Sequence, residues 1–214
     1  MTSDDATTRS TGTGRAGGAS RWAIAAIVGI GLYVVIDVVL AFLRPDYSLI
    51  RNPESDYGRG PHAWLIDVNF VIRGLFSVAA VVALLRAGIA RRWMAVLVLV
   101  WAVASALLAA FADNPAGYAY RASGPVHDVL AFIAFLAIVV ATIAMSFARS
   151  GVNTRIATTQ RILSIVGAVA FGMLIHSFGA FGLIERIFLA CELAWMVVTL
   201  VGVVRERTVT PRVE

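Results

Sequence analysis

Residues 161–204 read RILSIVGAVAFGMLIHSFGAFGLIERIFLACELAWMVVTLVGVV. Two apolar runs, about 161–179 and 183–204, are divided by Gly179-Ala180-Phe181-Gly182. Each is close to the roughly 20 residues that a helix rising 1.5 Å per residue needs to cross about 30 Å of hydrocarbon. The stretch therefore predicts a tight hairpin of two transmembrane helices.

Working back from this hairpin, four more runs of similar length lie at about 22–43, 63–85, 93–112 and 126–147. The whole chain has 214 residues, of which 59% are hydrophobic and 14% charged, with a mean hydropathy of +0.82. Soluble domains carry nearer a quarter charged residues. Trp22, Trp64 and Trp93 fall at run ends, where indole rings favour the membrane–water interface. The expected fold is all-α, a polytopic bundle of six transmembrane helices with short loops, occupying residues 21–205. Residues 1–20, rich in Ser, Thr, Gly and Asp, read as a disordered tail, and 206–214 as a second tail. The run after the first tail is too long for a secretory signal peptide. Cys191 is the single cysteine, which excludes an internal disulfide.

Arginine supplies all 18 basic residues. One side of the predicted topology holds Arg9, Arg15, Arg21, Arg86, Arg91, Arg92, Arg149, Arg155, Arg161, Arg205, Arg207 and Arg212. The other holds Arg44, Arg51, Arg59, Arg121 and Arg186. This imbalance places both termini in the cytoplasm and the protein in the cell membrane. The same loop placement accounts for the high pI of about 10.1 without a nucleic-acid partner, because no basic patch or recognition motif accompanies it.

Depth counted from the helix ends puts the intramembrane ionisable residues in the outer half. Asp37, Asp67, Asp128, His176, Glu185, Arg186 and Glu192 lie there, with Arg73 near the midplane. Charges in hydrocarbon are costly, so such groups face the bundle interior, pair with one another or line water. The pattern predicts a vestibule open outside and sealed inside. Asn69 and Arg73 share a helix face with His62, and Glu185 shares one with Glu192. Arg73 and Glu192 are at similar depth and are expected to form an interhelical ion pair. Ala168 and Gly172 are expected to make a small-residue helix contact. The long connection Arg44–Pro61 reads as a lid over the vestibule.

His62, His127 and His176 are the three histidines, all predicted near the outer surface. With carboxylates they offer the ligand chemistry of zinc and similar divalent cations, although no HExxH spacing is present. The carboxylates Asp37, Asp67, Asp113, Asp128, Glu185 and Glu192 outnumber Arg73 and Arg186, which favours a bound cation or else raised carboxyl pKa values.

Three elements together resemble the family catalogued as domain of unknown function 998. They are Ser55-Asp56-Tyr57-Gly58 ahead of a helix containing Asn69 and Gly74; Phe111-Ala112-Asp113 followed by His127; and Gly182-Leu183-Ile184-Glu185-Arg186 followed by Trp195. Ala112 departs from the proline usual before the acid. The resemblance implies a six-helix prokaryotic membrane protein, implies no activity, and marks Ser55, Asp113, His127, Glu185 and Arg186 as signature positions.

The function expected from these residues is binding or sensing of a small cationic or lipid-derived ligand at an extracytoplasmic site. Ser55, Asp67, Asn69, Arg73 and Glu192 are the candidate ligand contacts. The alternative is a metal-assisted hydrolase or transferase acting on lipid or cell-envelope substrates. There His62, His127 and His176 would hold the metal, Asp113 or Glu185 would activate water, and Arg186 would counter developing negative charge. A scaffold or accessory subunit is a third class.

Overall fold

The computed structural model describes residues 4–115, 117–148, 153–176 and 179–209. The described residues form six α-helices and no strand: α1 (Asp4–Leu43), α2 (Ala63–Arg86), α3 (Arg92–Leu108), α4 (Gly124–Ala148), α5 (Thr154–Leu174) and α6 (Phe181–Val209). A short 3-10 helix, Glu54–Gly58, sits in the connection between α1 and α2. Five helices are long and apolar enough to cross a membrane, the first of them over Gly18–Leu43. The fold is all-helical, as the runs of apolar sequence require.

Each helix packs against the next, and α6 returns to α1, so the bundle closes into a ring. Its interior is filled by large side chains such as Trp101, Phe135, Phe188 and Trp195, and by the alanines of α1, α2 and α4. The indole N–H of Trp101 donates to Ser77 and that of Trp195 to Ser146, which satisfies both donors in the apolar core. The outer surface is apolar too, with Val28, Leu32, Phe42, Leu75, Val103 and Val169 among its exposed residues. Trp64 and Trp93 lie exposed at helix starts, and Trp22 lies exposed within α1, near the start of its apolar span.

Several boundaries differ from the sequence reading. The first helix begins at Asp4, within the segment read as a tail. The third run ends as a helix at Leu108, and Ala109–Phe111 continue as hydrogen-bonded turns. Leaving the helix early frees the carbonyls of Phe111 and Ala112, which accept from His127 and Ser123 of the following segment. At 17 residues this helix is about 25 Å long, short of a full hydrocarbon span. The fifth helix starts at Thr154, where the Asn153 side chain accepts from the Arg155 N–H as an N-cap. Helix α2 starts at Ala63, so Pro61 precedes it, and His62 sits at the cap in left-handed backbone with φ 62°. Gly172 has open space around it, so the expected small-residue contact is not made there. The close-approach glycine on α5 is Gly167, which faces Glu192 of α6.

Candidate functional site

The α1–α2 connection folds inward over one end of the bundle. Arg44, at the end of α1, is buried and donates to the carbonyls of Arg59 and Pro61. The buried Arg59 donates to the carbonyls of Asp113 and Ala119, tying this connection to the α3–α4 loop. Arg186 donates to the carbonyls of Leu49 and Asn52, and the Leu183 N–H donates to the Ile50 carbonyl. Gly182 permits this approach, since a Cβ there would collide with the Asn52 carbonyl. A loop buried in this way must satisfy its own backbone groups, and three arginines do most of that work.

Glu54 is the residue this packing carries furthest inside. The Tyr33 hydroxyl donates to it, 2.6 Å from either carboxylate oxygen. Arg73 forms a salt bridge with it at 3.4 Å, both side chains being almost completely buried. Asn69 donates to it at 3.5 Å. Its own N–H donates to Glu185 at 2.6 Å, clipping the 3-10 helix to the start of α6. The Arg73 guanidinium also lies 4.9 Å from the ring centres of both Phe70 and Trp101, a cation–π arrangement on two sides.

Next to Glu54, the Ser55 hydroxyl donates to Asp113 at 2.7 Å, so the first and second signature elements touch. Asp113 also accepts from the N–H of Asn114. His127, buried at the start of α4, places Nδ1 2.7 Å from the Phe111 carbonyl oxygen. A carbonyl can only accept, so Nδ1 carries a proton there. Asp56 accepts from the Asn52 amide at 2.7 Å. Burial, reinforced by the nearby Asp113 carboxylate, pushes its pKa from 3.8 up to about 6 against the pull of that hydrogen bond.

These groups surround a cavity of about 290 Å³. Its polar wall is Glu54, Ser55, Asp113, His127, Asp128 and Glu185, with Arg73 beneath. Its apolar wall is Phe132 and Phe135 of α4, Phe171 and Leu174 of α5 with Ile175 just after it, and Phe181 of α6. Phe132 and Ile175 line the cavity yet are 51% and 66% exposed, so its mouth lies between α4 and α5 on the apolar flank of the bundle.

The structure thus gathers Ser55, Arg73, Asp113, His127 and Glu185 at one cavity, with Asn69 behind Arg73. Arg186 holds the loop by its carbonyls instead of facing the cavity. Asp67 is half-buried on α2 and does not line it. Of the histidines His127 alone lines the cavity, while His62 and His176 are exposed. Among the described residues no three His, Cys, Asp or Glu are grouped to hold a metal ion. The expected Arg73–Glu192 pair is not formed. Arg73 pairs with Glu54, because the loop folds deep enough to present a carboxylate closer than α6 does. Glu54 and Tyr33 were missed by the sequence reading. A lone acid in a Pro-bounded loop and a tyrosine in an apolar run carry no local signal of burial.

A family model described as "Protein of unknown function (DUF998)" matches residues 27–202. No curated protein and no solved structure matches the chain.

Proposed function

This chain belongs to the DUF998 family, described only as of unknown function, and we propose that this member binds a lipid-derived ligand with a cationic headgroup in the cavity at the end of its bundle. The observation that carries the reading is a cavity with carboxylates on one wall and a lipid-facing aromatic mouth on the other. Arg73 offsets Glu54. That leaves Asp113, Asp128 and Glu185 against His127, an excess of acceptors suited to an ammonium or similar donor. The volume is at the small end of ligand pockets, enough for a headgroup and the first part of a chain, with the remainder leaving between α4 and α5. The arginine imbalance supports an extracytoplasmic position for this end, in the cell membrane, with both termini inside.

The test is thermal unfolding of the purified protein with three probes: a long-chain alkylammonium, the same ammonium without the chain, and a neutral amphiphile of equal chain length. A ligand that binds the folded state raises the melting temperature by mass action. The long-chain cation is expected to stabilise the protein most, and the effect to vanish in the Asp113→Asn, Glu185→Gln double variant. Equal stabilisation by the chainless cation would reassign the site to a small soluble cation. No stabilisation by either cation would end the binding reading in favour of a scaffold. Zinc retained stoichiometrically by the wild type and lost in His127→Ala would instead direct attention to the hydrolase alternative.

A further inference from the structure

Phe188 packs against Phe135 and Phe171 of the cavity wall, and one turn further along α6 lies the buried carboxyl group of Glu192. It is 1% exposed, and among the described residues neither of its oxygens has a hydrogen-bond partner. Gly167 of α5 leaves the room it occupies, since a Cβ there would stand 2.7 Å from one carboxyl oxygen. From α4 the polar group facing it is Thr142, and its chain neighbour on α6 is Cys191. Among the described residues no arginine forms an ion pair with it. An anion so placed would be desolvated and uncompensated, the arrangement that costs most inside a protein or a membrane.

Thr142 decides the chemistry. Its one hydroxyl proton is directed to the carbonyls of Ile138 and Val139 on its own helix, at 3.1 and 3.2 Å. What it offers Glu192 is therefore a lone pair. A carboxylate, which can only accept, gains nothing from a lone pair, whereas a carboxylic acid can donate its proton to it. We propose that Glu192 is a proton-binding site in the bundle interior, occupied at neutral pH by a proton shared with Thr142.

The site stands at the head of a polar seam that runs away from the cavity. Trp195 and Thr199 follow Glu192 on one face of α6, and Ser146 follows Thr142 on α4. Ser146 accepts from Trp195 at 2.7 Å and donates to the Gln160 carbonyl, and the Gln160 amide donates to Thr199 at 2.7 Å. Arg161 reaches the Ser146 carbonyl at the far end. These buried hydroxyl and amide groups satisfy one another along the seam on the side of Glu192 away from the outer cavity.

Infrared spectroscopy of the reconstituted protein reads the proposal directly. At neutral pH a carboxylic-acid C=O band is expected, shifted on transfer to heavy water and lost in Glu192→Gln. A Glu192→Gln spectrum identical to wild type in that region overturns the proposal, as does loss of the band on adding sodium at constant pH. Should Glu192→Gln not fold, Thr142→Val supplies the same reading. The acid band must then move when its acceptor is removed, and a band unmoved by that substitution equally overturns the assignment.

Discussion

Arg73 on α2 and Glu54 in the preceding loop form an ion pair with under 5% of either side chain exposed. A buried pair adds little net stability over apolar residues of the same shape, but removing one partner strands the other charge in a medium that cannot solvate it. Glu54→Leu leaves the guanidinium with the Tyr33 hydroxyl and three aromatic faces. That single change is expected to destabilise the protein by about 3–5 kcal/mol. Glu54→Leu with Arg73→Met is expected to cost clearly less than the sum of the two single changes. Detergent-based unfolding of the four proteins, treated as a double-mutant cycle, checks this; additive losses would mean the two charges do not depend on each other. The same scale explains why Glu192 was assigned the wrong partner. Depth along a helix was readable from residue counting, but the loop's penetration was not.

At the scale of elements, the α1–α2 connection acts as a packed structural element with a charged residue at each fixing point. Arg44, Arg59 and Arg186 turn their guanidinium groups to its carbonyls or to those of the neighbouring loop. Asp56 makes this element pH-sensitive. Its folded pKa of about 6 stands above the ordinary 3.8, so the fold binds the proton more tightly than the unfolded chain. The resulting stabilisation is fully present below about pH 4 and is lost as pH rises through about 6. Asp56→Asn keeps an acceptor for Asn52 and cannot ionise. Its loop is therefore expected to show amide hydrogen exchange that is flatter with pH, after correction for intrinsic exchange, and better protection than wild type above pH 6 or so. Equal pH dependence in both proteins would locate the titration elsewhere.

For the molecule as a whole, the ring of six helices puts the ends of α1, α3 and α5 and the starts of α2, α4 and α6 at one face, where the cavity lies. The proposal that this face is the outer one rests on the arginine imbalance. In a Cys191→Ser background, Arg51→Cys is expected to react with a membrane-impermeant maleimide on intact cells. Arg207→Cys is expected to react only after the membrane is opened. The reverse pattern would turn the cavity toward the cytoplasm and invert the direction from which its ligand arrives.

Apolar runs long enough to span a bilayer leave a chain little choice but helices, because hydrocarbon offers no partner for an unpaired N–H or C=O. That constraint is local, so the all-helical membrane fold and the approximate positions of its helices were legible in the sequence. The clustering of Asp113, His127 and Glu185 at one end followed from the same counting. Only the tertiary structure brought Glu54 under α1 and α2, separated His62 and His176 from His127, gave Arg186 to the loop and left Glu192 facing Thr142. Those outcomes depend on how a Pro-bounded loop folds back and on which helix faces meet, and both are set by contacts between residues far apart in the chain.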